Sequence, residues 1–182
     1  KIVEVITNKT FYEYLKESIF DPLGMNETKF YLTTEERKRF QPLFINSGSL
    51  KGYTNLLDEM TYDINNRAYF GGEGLVSTMN DYSKFCQMLV NNGEYNGKII
   101  MKKSSIEKMT KPYTKENMNA GYYNGVDYAF SFFNFQEPIL SGTSASKGIY
   151  GWSGAHNTHF WIDPKLKLFG LFMSRTAPFS WD

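Results

Sequence analysis

The sequence predicts a mixed α/β chain of the segregated, α+β kind, with helices and loops over residues 1–125 and antiparallel strands over residues 126–182. Three observations carry that expectation. Phe11, Tyr14, Leu15, Ser18 and Ile19 fall near one face of a helix, and Tyr82, Phe85, Cys86 and Leu89 repeat at i, i+3, i+4, i+7. The pattern changes at Val126, where Tyr128–Phe135 becomes a dense aromatic run that reads as a buried strand. Asp163-Pro164-Lys165 is then a turn signal ahead of the apolar stretch Leu166–Met173, so the final segment reads as consecutive strands on short turns.

Each element has its own signal. Residues 1–7 read as the end of a helix, closed by Asn8 in a left-handed conformation. Thr10 and Glu13 form a capping box for the next helix, and Asp21-Pro22-Leu23-Gly24-Met25 stops it. The charge run Glu35-Glu36-Arg37-Lys38-Arg39 predicts a solvated face or a short helix, and Asn46 to Asn66 reads as a long loop. Gly71-Gly72-Glu73-Gly74-Leu75 is a permissive backbone segment before a helix capped by Ser77 or Thr78 and ended by Gly93. Ser104 to Glu107 spells a second capping box, opening a short helix to about Met109. Gly151–Gly154 leads into a strand at Thr158–Ile162.

Bulk properties exclude several function classes. The 182 residues suit one domain or part of a larger one. Hydrophobic residues at 41% against 21% charged make a globular chain, and 15 Phe with 13 Tyr supply a sizeable core. A net charge of +1 gives no basic field for nucleic acid. No apolar run is long enough to span a bilayer. Cys86 is the single cysteine, which excludes an internal disulfide, and its place on an apolar helix face predicts an inert core thiol. The chain opens at Lys1 within the apolar run Ile2, Val3, Val5, Ile6 and closes at Phe179-Ser180-Trp181-Asp182, from which both ends are expected to be cut from something longer. No targeting segment is legible, so the sequence carries no address.

Three phrases resemble a known family. They are Ile19-Phe20-Asp21-Pro22-Leu23-Gly24-Met25 with Thr28, Gly72-Glu73-Gly74-Leu75-Val76-Ser77-Thr78 with Asp81, Phe85 and Leu89, and Gly151-Trp152-Ser153-Gly154-Ala155 with Phe160-Trp161-Ile162-Asp163-Pro164. In that order and at that spacing they resemble the penicillin-binding-protein/class C β-lactamase-type serine hydrolases. The resemblance implies a β-lactamase/transpeptidase-like fold, an antiparallel sheet flanked by helices plus a mostly helical region, of which this chain is the C-terminal portion. It implies a Ser-x-x-Lys nucleophile, a Tyr-x-Asn motif and a third motif, Lys-Thr-Gly or a variant, on an edge strand. The first two lie upstream of Lys1 in that scheme, with the N-terminal strands and the nucleophile helix, so this chain alone is expected to be inactive. Trp152-Ser153-Gly154 holds the third position and looks like the Trp-Gly-Gly variant of esterase-like members, which removes a cationic anchor for a substrate carboxylate. The backbone N–H of Ala155 is the implied oxyanion-hole donor. Trp152, Ser153, Gly154 and the nearby His156 are the implied substrate-binding residues. The implied substrate is a small ester, amide or β-lactam, with no cofactor and no metal. A noncatalytic fragment or degenerate homologue is the alternative. An N-terminal fragment, or self-association through an exposed sheet edge, is the implied macromolecular partner. Family members are often exported or envelope-associated.

Several short matches compete with that scheme. Ser105 with Lys108 and Ser144 with Lys147 both spell Ser-x-x-Lys, one beside a capping serine and one in a loop without a helix dipole. Tyr53 with Asn55 and Tyr122 with Asn124 spell Tyr-x-Asn in loops. His156 and His159 lack a third ligand, and on a strand their spacing would point them to opposite faces, against a metal site. Chance is the reading for all of these matches.

Overall fold

The computed structural model describes residues 1–54, 62–65, 69–114 and 124–178. They divide into two units, Lys1–Lys84 with Ala155–Asn157 and the segment from Met173 onward, and Phe85–Gly154 with Thr158–Phe172.

The first unit begins with α1 (Ile2–Thr7), which Asn8 closes at φ 52°, with its N–H on the Glu4 carbonyl. Thr10 Oγ1 accepts the Glu13 N–H at 3.2 Å and the Thr10 N–H returns to Glu13 Oε2 at 2.8 Å, so the expected capping box starts α2 (Phe11–Leu15). A π turn at Lys16–Phe20 leads into α3 (Asp21–Leu23), which carries Pro22 and ends at Gly24, φ 68°. The charge run forms the short α4 (Thr34–Arg37) on a second capping box, Thr33 with Glu36.

The long loop expected from Asn46 is a correction. β1 (Leu43–Ser47) and β2 (Leu50–Thr54) form an antiparallel hairpin that turns at Gly48, φ 60°. Only Leu43 and Ile45 are buried in it, too few alternations to register as a strand pattern. The later part of that stretch, 55–61, lies outside the described residues. β10 (Thr176–Ala177) adds to β1 in parallel, Phe44 opposite Thr176, giving the order β10-β1-β2. Phe20, Leu23, Met25, Phe30, Leu32, Leu43, Ile45, Tyr62 and Val76 are buried in this unit, whereas Ile2, Val5 and Ile6 of α1 are 73–77% exposed.

Helix α5 (Met79–Val90) starts in the first unit and ends in the second. Thr78 is its side-chain cap, accepting the Asp81 N–H at 3.2 Å. Cys86, Met88, Leu89 and Val90 are buried. Gly93 follows at φ 101°, where a Cβ would meet the Met101 carbonyl oxygen at 1.9 Å, so no other residue fits the turn. β3 (Glu94–Tyr95) and β4 (Lys98–Ile99) make a small hairpin about Asn96-Gly97. α6 (Lys103–Thr110) opens after Lys102 with no side-chain cap, so Ser104 lies inside the first turn and the capping box expected there is not formed.

The five-stranded sheet of the second unit runs in chain order, β5 (Val126–Tyr128), β6 (Phe133–Phe135), β7 (Tyr150–Ser153), β8 (His159–Asp163) and β9 (Leu168–Phe172), all neighbours antiparallel. The single aromatic strand expected at Tyr128–Phe135 is instead a hairpin. Ser131 takes φ 60°, Phe130 turns out to solvent and Phe132 turns in. A run of aromatics hides such a turn because both arms and the bend share one residue type. Asp163 makes the predicted β8–β9 turn, its Oδ1 accepting the N–H groups of Lys165 and Leu166, each at 2.9 Å. Tyr150, Phe160 and Ile162 bury one face of the sheet. Strand alternation puts Gly151, Ser153, His159 and Trp161 on the other.

Candidate functional site

Two of the three sequence phrases meet in the first unit. Thr28, from the Pro-Leu-Gly-Met turn, lies 2.8 Å from Ser77 Oγ. Asp81 Oδ2 accepts the Glu27 N–H at 2.7 Å and the Thr28 hydroxyl at 3.1 Å, while Oδ1 takes Lys84 Nζ at 3.0 Å. Lys84 Nζ also donates to the Gly24 carbonyl. Thr28 and Asp81 are each 2% exposed. The cluster locks the turn after α3 to the start of α5, with its bonds made inside the protein.

The third phrase is built differently. β7 lies inside the sheet and is not an edge strand, but β6 pairs with it only at Tyr150 and Gly151. From Trp152 onward its ladder partner among the described residues is β8 alone, with Trp152 opposite Phe160 and Ser153 opposite His159. Trp152 is 46% exposed, and the Tyr128 ring meets it edge-on at 6.1 Å. Gly154 closes the hairpin, its N–H on the Thr158 carbonyl at 2.8 Å. A Cβ on Gly154 would come within 2.3 Å of Thr158 Oγ1.

Ala155 and His156 belong to the first unit. The His156 carbonyl accepts the Ser174 hydroxyl at 2.9 Å and the Thr176 N–H at 3.1 Å. Asn157, at φ 61°, donates to Thr176 Oγ1 at 2.7 Å. These bonds fix the backbone that follows Gly154. Ala155 is exposed, and its N–H meets no acceptor among the described residues.

His159 was singled out in the sequence only as half of a metal pair, yet it is the residue that touches the motif. Its Nδ1 lies 2.5 Å from Ser153 Oγ, and its ring stacks on Phe133 at 5.9 Å and 9°. Burial pushes its pKa below the ordinary value. The signal was in the numbering: a hairpin closing on Gly154 and Thr158 sets Ser153 across from His159. His156 lies in the turn and not on the strand, so the two imidazoles are not the opposite-face pair that the spacing suggested. No three His, Cys, Asp or Glu side chains gather among the described residues in a way that could hold a metal ion. Burial pushes the Cys86 thiol up to about 12, which leaves it protonated and unreactive at neutral pH.

The competing matches separate. Ser105 is in the first turn of α6, with no hydrogen bond to Lys108 among the described residues. Ser144 is exposed, and Lys147 pairs with Glu137 at 3.4 Å. Tyr53 is on β2 rather than in a loop, its ring against Phe44, while Asn55 and Tyr122 lie outside the described residues.

A protein-family model described as Beta-lactamase matches residues 1–182. Protein Rv1367c of Mycobacterium tuberculosis is 22% identical over 193 residues, a match that takes in 97% of this chain and 46% of that protein. A lovastatin esterase of Penicillium rubens is 30% identical over 113 residues, 60% of this chain and 27% of that one. The solved structure of EstCE1, described as a hydrolase with promiscuous acyltransferase activity, superposes with a TM-score of 0.81 at 16% identity, over 97% of this chain and 48% of that one. This chain thus spans about half the length, or less, of the relatives it matches.

Proposed function

This chain belongs to the Beta-lactamase family, and on that premise we propose that the whole protein is an acyl-transferring serine hydrolase acting on small esters, amides or β-lactams. The observation that carries the reading is the Ala155 N–H, held in a fixed backbone and left without an acceptor among the described residues at the end of the Trp152-Ser153-Gly154 motif. In the reaction a serine hydroxyl, from sequence outside these 182 residues, adds to the substrate carbonyl. The carbonyl oxygen takes up the negative charge, and the Ala155 N–H stabilises it before the leaving group departs with a proton. Trp152 offers an apolar, uncharged surface where a lysine would attract a carboxylate, which favours neutral esters over penicillin-like acids. The names of two relatives, a lovastatin esterase and a hydrolase with acyltransferase activity, support the ester side of this reading.

The test is turnover of p-nitrophenyl esters and of a chromogenic β-lactam by the full-length protein, wild type and Ala155→Pro. Proline removes the N–H, and kcat should fall about 10²–10³-fold. Unchanged kcat in the variant would refute the role of Ala155. No turnover of any acyl substrate would favour the noncatalytic reading. The 182-residue chain itself should take no fluorophosphonate adduct by intact mass, since neither Ser105 nor Ser144 is placed as a nucleophile. The exposed face of α1 and the side of β9 that no described strand pairs are where an N-terminal fragment or a second copy would pack. Concentration-dependent light scattering on the chain reads the second case.

A further inference from the structure

Ser153 and His159 face each other across the β7–β8 ladder, 2.5 Å apart at Oγ and Nδ1. The imidazole is held twice, by that bond and by the stack on Phe133. A neutral imidazole has one bare nitrogen and a serine hydroxyl has one hydrogen. When Nδ1 is the bare nitrogen, the bond takes the hydroxyl hydrogen and leaves the oxygen lone pairs facing outward. A second proton on the ring puts an N–H on both nitrogens, and Nδ1 can no longer accept.

We infer that His159 is a positioning residue that acts through Ser153, holding the hydroxyl beside Gly154 with its lone pairs outward while the ring is neutral and reversing the bond, so that the hydroxyl hydrogen turns outward, when the ring is protonated. The inference rests on the reading of Trp152–Ala155 as a substrate-binding strand. The groups around the ring do not oppose it. β7 offers Gly151 and Ser153 on this face, β6 offers Phe133 and Phe135, and β9 offers Gly170 and Phe172. On β8 itself Asp163 is at the far end of the strand, its Oδ1 occupied by the Lys165 and Leu166 N–H groups. The Tyr128 phenol is on β5, opposite Phe133. Among the described residues no carboxylate stands against the ring to favour the imidazolium, and burial holds its pKa below the ordinary histidine value. The hydroxyl therefore presents its lone pairs at neutral pH and its hydrogen as the pH falls through that lowered value.

The experiment is a pH series of KM and kcat for a neutral ester that carries an amide N–H donor, with the full-length protein, alongside ¹⁵N imidazole spectra of His159. The spectra should show a bare Nδ1 at neutral pH and give the pKa of the ring. Wild-type KM should rise about fivefold as the pH drops through that pKa, the effect of one lost hydrogen bond, with kcat little changed. His159→Phe and Ser153→Ala should each show the raised KM at every pH, and the double variant should be no worse than either. Ser153→Thr, which keeps the hydroxyl, should keep the pH dependence of KM whatever its absolute KM. His159→Gln, whose side-chain oxygen accepts but does not titrate, should keep the low KM across the range, and it covers the case in which His159→Phe fails to fold. A protonated Nδ1 at neutral pH, wild-type KM in a folded His159→Phe, or additive effects in the double variant would overturn the inference. Absence of turnover on every ester would instead sink the functional reading, and the spectra would still decide the state of the pair.

Discussion

The cluster around Asp81 and the end of β7 each carry a phrase shared with the same family, and they spend their polar groups in opposite ways. Asp81, Thr28, Ser77 and Lys84 bond to one another and to the Glu27 and Gly24 backbone, with Thr28 and Asp81 fully out of water. Trp152 and Ala155 are exposed, and the Ala155 N–H meets no acceptor among the described residues. A sequence phrase alone does not separate these cases. What separates them is whether the donors are consumed within the protein, which stabilises it, or kept for something from outside, which is what a reacting carbonyl needs.

The contrast can be broken first at Asp81. Asp81→Ala takes the carboxylate from a part-buried ammonium and removes the acceptor of a buried hydroxyl and a backbone N–H, and it should cost about 2–3 kcal/mol in denaturant unfolding. A loss under about 1 kcal/mol would mean that the cluster is not the lock described. Gly154→Val should do the reverse. Only the Thr158 hydroxyl has to move to admit a Cβ, so stability should fall by about 1–2 kcal/mol. Displacing the Ala155 N–H by even a fraction of an ångström should cost the full-length protein about 10²-fold in kcat/KM. Near-normal kinetics in a folded Gly154→Val protein would remove this strand from the site. The smallest effect is expected at Glu36, where hydrogen bonds from Lys29 and the Thr33 backbone hold the carboxyl down to about 2. A folded pKa below the unfolded value of 4.5 means that the contribution is complete above about pH 5 and is lost as the pH falls toward 2. Only 21% of the Glu36 side chain is exposed, but it remains near solvent, so about 1 kcal/mol is expected. Acid unfolding of Glu36→Gln should be correspondingly flatter over that window.

Much of the second unit was legible because its strands are neighbours in the chain. Local turns such as Asp163-Pro164-Lys165 fix which strand pairs with which, and register follows from counting. The capping box at Thr10 and the cap at Thr78 were legible for the same local reason. The β1–β2 hairpin was missed because two buried side chains make no visible alternation, and β10 because its partner is distant in sequence. The family phrases pointed to Trp152–Ala155 as the candidate segment. They did not show that β7 is an interior strand, nor that His159 touches Ser153, since both depend on where β6 stops and on how the Gly154–Thr158 turn closes.

The parallel pairing of β10 with β1 bears on the order in which the protein can mature. A ribosome delivers Phe44 long before Thr176, and the sheet of the first unit lacks one of its strands throughout that interval. The second unit, from Phe85 to Phe172, is an almost unbroken stretch of chain whose contacts close as each hairpin emerges. The first unit is thus expected to complete its sheet after the second has folded, with β1 waiting on Thr176–Ala177. Pulse-labelled hydrogen exchange reads that order directly: the Phe44 amide, which bonds to the Arg175 carbonyl at 2.8 Å, should gain protection after those of β8.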